Sequence, residues 1–189
     1  MILVVLDGPH GAGITTQTER VQDRLTQTRG SVVAWHHPAP EPEDADDPWR
    51  RALHFAAARA RLVAVLRAAP PAVLIVDRWV TSTTADALAM DPGTERTQLL
   101  GLAHAEAQGL PREHLVAVLD ASEESLRWRL RARGEAVSVQ RAARIQRERE
   151  VYARLARERG WPVVSTARAP QETTADLDAL VRVAMRGAA

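Results

Sequence analysis

Five short, mostly apolar runs recur along the chain, at Ile2–Leu6, Ser31–Trp35, Ala72–Val76, Leu115–Leu119 and Pro162–Ser165. None alternates cleanly between apolar and polar positions, which is the pattern of strands buried on both faces of a parallel sheet. Longer segments with helical spacing lie between them: Thr15–Arg29, Trp49–Ala68, Thr94–Gln108, Glu123–Arg133, Arg141–Arg159 and Gln171–Met185. Strand and helix alternating at this rhythm predict βαβ units with right-handed crossovers. The expected fold class is α/β, with three layers (α/β/α) around a five-stranded parallel sheet. Ligands are then expected beyond the carboxyl ends of the strands. The segment Pro38–Pro48 is acidic and proline-rich and reads as a loop. Neither an internal repeat nor a linker divides the chain, so residues 1–189 are expected to form one domain.

Composition narrows the possible functions. Apolar residues make up 46% of 189 residues, enough for a sizeable core. The formal net charge is +1, so no bulk field draws the chain to nucleic acid or an anionic membrane. Cysteine is absent, which removes disulfides, thiolate metal sites and a cysteine nucleophile. The N-terminal run lacks a basic n-region, and no apolar stretch approaches a membrane span; the expected location is the cytoplasm. All 25 cationic side chains are arginine. Any phosphate charge the side chains neutralise is therefore met by arginine, a metal or backbone N–H groups.

The sharpest motif is Gly8-Pro9-His10-Gly11-Ala12-Gly13-Ile14-Thr15-Thr16, between the first strand and the first helix. It fits the phosphate-loop pattern G-x-x-x-x-G-K-[ST] except that Ile14 stands in the lysine's place. The glycines let backbone N–H groups converge on phosphate oxygens, and the helix that follows adds its positive dipole end. Thr15 is placed to bind Mg²⁺ through its hydroxyl. An isoleucine cannot neutralise charge on a transferred phosphoryl group, and no arginine lies between Gly8 and Thr16. Losing such a donor costs on the order of 10²–10³ in rate. The arginine-dense stretch Arg127–Arg149 has two readings, a solvated helix face or a lid whose arginines close over phosphates.

With these motifs the chain resembles the thymidylate kinase family over nearly its whole length. Gly-Ala-Gly, Ile14 and Thr-Thr-Gln are similar to that family's phosphate loop, and Phe55-Ala56-Ala57-Ala58-Arg59 to its Phe-Ala-Ala-Asp-Arg segment. Asp77-Arg78-Trp79-Val80-Thr81-Ser82 resembles Asp-Arg-Tyr-x-x-Ser. Gly109-Leu110-Pro111, Leu119-Asp120, Arg131–Glu135 and Arg149 with Tyr152 match the stretches around the family's lid, here about 131–147.

The resemblance implies transfer of phosphate from ATP, with Mg²⁺, to a nucleoside monophosphate. It implies that Gly8, His10, Gly11, Ala12, Gly13, Ile14, Thr15 and Thr16 cradle ATP, and that Thr15 and Asp77 serve the metal. Phe55 would stack on the base, Arg59 and Arg78 would hold the acceptor phosphate, and His10, His36, Ser82, Thr83 and Asp86 would line the acceptor. Asp7, Asp77, Arg78, Arg131 and Arg133 are the implied catalytic set, with Arg141 and Arg144 as further lid candidates. A homodimer is implied as well.

The departures are specific. His10 stands where the family has an acid for the sugar 3′-hydroxyl, and Trp35-His36-His37-Pro38 replaces an arginine-containing segment. Asp86 replaces a sugar-packing tyrosine, Thr83 sits at a base-contacting position, and Ala58 replaces an aspartate. Base-stacking and phosphate-holding features are kept while sugar- and base-reading ones change, so the expected acceptor is a pyrimidine nucleoside monophosphate that is dTMP-like, modified or ribo. The alternatives are a nucleotide-binding homologue impaired in transfer and another nucleotide-directed reaction on the same fold. A metal site built from His10, His36 and His37 is not expected, because adjacent histidines in a strand point to opposite faces.

Overall fold

A computed structural model of the chain describes residues 1–27, 31–37, 47–90 and 93–187. Residues 38–46, most of the expected loop at Pro38–Pro48, lie outside the described residues, as do residues 28–30. Five strands form the sheet: β1 (Ile2–Asp7), β2 (Val32–His36), β3 (Val73–Asp77), β4 (Leu115–Asp120) and β5 (Val163–Ser165). Their order is β2-β3-β1-β4-β5, and every pairing is parallel. The described residues hold seven helices: α1 (Ile14–Thr26), α2 (Pro48–Ala68), α3 (Val80–Ala89), α4 (Thr94–Ala107), α5 (Glu123–Ala132), α6 (Val139–Arg159) and α7 (Pro170–Gly187). This is the three-layer α/β architecture that the alternating pattern predicts.

The pleat explains the layers. Val4 and Leu6 of β1 join Val21 and Leu25 of α1, Leu126 and Leu130 of α5, and Leu177 and Val181 of α7 in one apolar cluster. Leu3 and Val5 point the other way and join Leu66 of α2, Val80 of α3 and Ala103 of α4. Both faces of β1 and β3 are therefore covered, which is why their sequences are apolar without alternation.

Local chemistry sets several element boundaries. Asp47 caps α2 by accepting from the N–H groups of Trp49 and Arg50, with Pro48 at the first helical position, so both residues belong to the helix start and not to the loop before it. Ser122 caps α5, Ser138 caps α6, and Gly160 ends α6 in the left-handed conformation.

Helix α3 has no counterpart among the predicted helices. Its Val-Thr-Ser-Thr-Thr start carries β-branched and hydroxyl side chains that weaken intrinsic helicity. Seven of its ten residues (Val80, Thr81, Ser82, Thr83, Ala85, Ala87 and Ala89) are buried, so there is no polar face to give a period. Packing holds this helix, not propensity.

Candidate functional site

The carboxyl edge of the sheet gathers the site. β1 sits at its centre, between β3 and β4, and runs straight into the phosphate loop. Gly8 has φ +152° and passes so close to β4 that a Cβ there would lie 2.2 Å from the Leu119 carbonyl oxygen. Gly13, at φ +84°, turns the chain into α1 as its N-cap. The loop geometry depends on glycine at both points.

Ile14 does not leave an open space where the lysine would stand. Its side chain is 4% exposed and belongs to the apolar cluster containing Leu119, Leu126, Leu130 and Ile145. The loop therefore rests on packed hydrocarbon. Ala12 is buried in the same cluster, whereas Thr15 and Thr16 are exposed.

Thr15 Oγ1 donates to Asp77 Oδ2 at 2.5 Å. His36 Nδ1 lies 3.3 Å from that same oxygen. The hydroxyl and carboxylate expected to serve a metal are thus brought together by α1 and β3. They are oxygen donors of the kind a hard divalent cation takes.

Asp7 is fully buried and faces the interior. It accepts from Ser82 Oγ at 2.9 Å through both oxygens, from Tyr152 Oη at 2.6 Å and from the Gly8 N–H at 2.9 Å. Burial pushes its carboxyl above the ordinary value, against the charge of Arg78 and these donors. The Arg78 Nη1 lies 3.9 Å from Asp7 Oδ1. Arg78 is the one non-glycine with positive φ (+68°) among the described residues, and its N–H donates to the Leu6 carbonyl at 2.9 Å. Such a conformation costs on the order of 1 kcal/mol and persists only where the surroundings fix it. Despite desolvation, the nearby carboxyl groups of Asp7, Asp77 and Asp86 hold the Arg78 guanidinium protonated, above its ordinary range.

A cavity of about 730 Å³ opens beside the loop. That volume is in the range of a drug- or nucleotide-sized ligand site. His10, Phe55, Arg78, Ser82 and Asp86 line it, together with Arg51 and the α6 arginines Arg141, Arg144 and Arg147. Of the acceptor residues implied by resemblance, three do not line it: His36, which sits beside Asp77, and Arg59 and Thr83. Arg59 is completely buried: it pairs with Glu106 of α4 through Nε and through Nη2 (2.7 Å), donates to Thr83 Oγ1 at 3.1 Å and to the Trp79 carbonyl at 3.4 Å, and meets His37 Nε2 at 3.2 Å. Thr83 is buried with it. Both lie within the protein, where the unpaired charge of an arginine would be prohibitive. Burial and the charge of Arg59 lower the His37 pKa to about 2, so His37 is neutral and, with the Phe55 ring 4.6 Å away, belongs to the cavity's support. His36 and His37 have different partners, Asp77 and Arg59.

The lid arginines also differ from expectation. Arg131 and Arg133 are exposed at the end of α5, with Arg133 paired to Glu135 at 3.2 Å, and neither lines the cavity. The cationic wall comes from α6. Arg144 Nη2 reaches Asp86 Oδ1 at 3.4 Å, and Arg51 Nη2 reaches Asp86 Oδ2 at 3.1 Å, so Asp86 bridges α2 and α6. Arg144 Nε donates to Glu148 Oε1 at 3.0 Å. The other Glu148 oxygen accepts from the His10 N–H at 3.2 Å and meets His10 Nδ1 at 2.7 Å. Burial pushes the Glu148 carboxyl up, yet His10 and the Arg144 and Arg78 guanidiniums overcome it and hold the group well below the usual range. Glu148 and Arg51 had not been singled out in the sequence. The signal for Glu148 was the i, i+4, i+8 spacing of Arg144, Glu148 and Tyr152, which puts all three on one face of α6. Arg129, another residue not singled out, ties α5 to Thr166 (Nη1 to Oγ1, 2.9 Å) and to the Gly11 carbonyl (3.4 Å).

The geometry combines a phosphate loop, a hydroxyl–carboxylate pair at its helix and an arginine-walled cavity beside it. No family model matches the sequence. A protein of Pyrobaculum aerophilum described as "Probable thymidylate kinase" is 26% identical over 202 aligned residues, covering 98% of this chain and 99% of that one. Over nearly its whole length the chain is similar to this thymidylate kinase. End-to-end coverage shows that the likeness to this thymidylate kinase relative includes the α6 region as well as the loop.

Proposed function

We propose that the protein is a nucleoside-monophosphate kinase, passing the γ-phosphoryl group of ATP·Mg²⁺ to a phosphate oxygen of a pyrimidine nucleoside monophosphate and releasing ADP. The observation that carries this reading is the meeting, at one sheet edge, of the Thr15–Asp77 pair with a cavity lined by Phe55, Arg78 and three α6 arginines. ATP would lie along Gly8–Thr16, with the metal at Thr15 and Asp77. The acceptor would occupy the cavity, its base against Phe55 and its phosphate toward Arg78. The metal's part is to draw charge from the β- and γ-phosphates. The chain's own share of that task falls to arginine. Arg144 is the best-supported candidate, because Glu148 fixes it and holds His10 of the phosphate loop at the same time. Asp86, held between Arg51 and Arg144, keeps lone pairs that can accept from a sugar hydroxyl, which favours a ribo or modified sugar over dTMP. Leu53 and Val65 are exposed on α2, and we assign that helix to a homodimer contact in a cytoplasmic enzyme.

A second reading is a nucleotide-binding relative that transfers phosphate poorly or directs another reaction at the nucleotide. It is favoured by Ile14, which is packed into the core and supplies no cation at the loop. The deciding assay incubates the protein with ATP·Mg²⁺ and a panel of ribo- and deoxypyrimidine monophosphates, and separates the nucleotides by chromatography. ADP and an acceptor diphosphate formed in equal amounts, lost in Arg78→Ala, are the expected result. ATP that binds but stays intact with every acceptor would leave the second reading in place of the first.

A further inference from the structure

We infer that His36 adds an imidazole nitrogen to the Thr15–Asp77 pair, and that the site takes a first-row divalent transition cation, such as Mn²⁺, in preference to Mg²⁺. The inference rests on the proposed ATP site. His36 ends β2 and Asp77 ends β3, and the two are Cα partners in the parallel register. Partners in register send their side chains to the same face, so the placement is built into the sheet. His36 Nδ1 and Thr15 Oγ1 both converge on Asp77 Oδ2, at 3.3 and 2.5 Å. Neighbouring donors around a six-coordinate cation with bonds of about 2.1 Å lie about 3 Å apart, close to the His36–Asp77 spacing. The imidazole is 35% exposed and Asp77 8%, so solvent reaches the histidine side of the group. His37 is half-buried and meets Arg59 instead, so His36 is the histidine beside Asp77.

The chemistry of the donors sets the cation. Mg²⁺ prefers oxygen ligands and gives up its water reluctantly. An imidazole nitrogen favours transition cations, whose affinity for mixed nitrogen and oxygen sites rises along the first row. The demand is also greater here than in a loop with a lysine. Ile14 brings no charge to the triphosphate, and the metal must carry a larger share of the neutralisation.

The test uses the full chain with ATP, and Mn²⁺ as the probe. Free Mn²⁺ is counted by its electron paramagnetic resonance signal, Mg²⁺ is titrated as competitor, and pulsed spectra report nitrogen coupled to bound Mn²⁺. ATP binding is measured separately by calorimetry. In wild type, nitrogen coupling is expected and Mn²⁺ should bind at least about 10-fold more tightly than Mg²⁺, a margin typical of one well-placed ligand. His36→Asn keeps a polar group beside Asp77 but removes the imidazole. It should abolish the coupling and weaken Mn²⁺ by about 10-fold while leaving Mg²⁺ within about twofold. Coupling that is absent, or that persists in His36→Asn, overturns the inference while the ATP site stands. Equal losses for both cations mean that His36 only orients Asp77, and also overturn it. Failure of the wild type to bind ATP with either cation overturns the inference and the kinase reading together.

Discussion

Restoring the loop's missing lysine is the most informative perturbation, because Ile14 is a packed core residue and not a spectator. Ile14→Lys removes an apolar side chain that is 4% exposed within the cluster of Leu119, Leu126, Leu130 and Ile145. Burying such a side chain is worth about 1.5–3 kcal/mol. An ammonium cannot remain among these residues unpaired. The new stem must bend out over the loop, toward the positive end of α1 and near Arg129, whose Nη1 already lies 3.4 Å from the Gly11 carbonyl. Without an anion in the loop, that location is unfavourable.

The combined cost is about 2–4 kcal/mol, the range of a core residue replaced without full repacking. For a chain of 189 residues this lowers Tm by about 5–15 °C. ATP reverses part of the loss, because a bound triphosphate gives the ammonium its partner; at 100 times Kd the binding itself adds about 2.7 kcal/mol, and the variant should gain more from ATP than wild type does. Thermal melts of wild type, Ile14→Val and Ile14→Lys, each with and without ATP·Mg²⁺, check the reasoning. Ile14→Val should cost only about 0.5–1.5 kcal/mol. An Ile14→Lys protein that melts with wild type in the absence of nucleotide would refute the claim that this position is held by packing.

Gly8→Ala should prevent stable folding or cost more than about 3 kcal/mol, because its Cβ meets the Leu119 carbonyl at 2.2 Å, whereas Gly101→Ala in α4, with nothing near its added Cβ, should be neutral or gain about 0.5–1 kcal/mol; urea titration of both variants checks this. Glu148→Gln should cost about 3 kcal/mol at neutral pH, since it takes the anion from the loop's His10 and leaves the partly buried Arg144 with Asp86 alone. The Glu148 carboxyl is depressed in the folded state, so its stabilisation is present above the unfolded glutamate value of about 4.3 and is lost as pH falls below it; wild type and Glu148→Gln should converge in stability as the solution is acidified. A gap that stayed constant with pH would assign Glu148 a packing role only.

The sheet was legible because strands covered on both faces write continuous apolar runs, and β1, β3 and β4 fall within a residue or so of theirs. The phosphate loop was legible for a different reason: Gly8 and Gly13 adopt backbone geometries that only glycine takes comfortably, so the constraint is written locally. Helix α3 was hidden because a helix buried all round has no amphipathic period. The fate of Arg59 was hidden because it depends on Glu106, 47 residues away on another helix, and no local pattern reports such a partner. The same holds for Asp86, whose two arginine partners come from α2 and α6.

The identity of residue 14 was plain in the sequence, but its consequence was not. Read alone, Ile14 is a lost charge. In three dimensions it shares a cluster with Ile145 of α6, the immediate neighbour of Arg144. Ile14 therefore belongs to a core that α6 also reaches, through Ile145. The same helix, one residue away, carries the guanidinium that Glu148 couples to His10 of the loop. The apolar residue at position 14 and the arginine-bearing helix thus share one core cluster. A lysine at position 14 therefore disturbs a core that α6 shares, and its effect on phosphate binding is the sum of a charge gained and core packing lost.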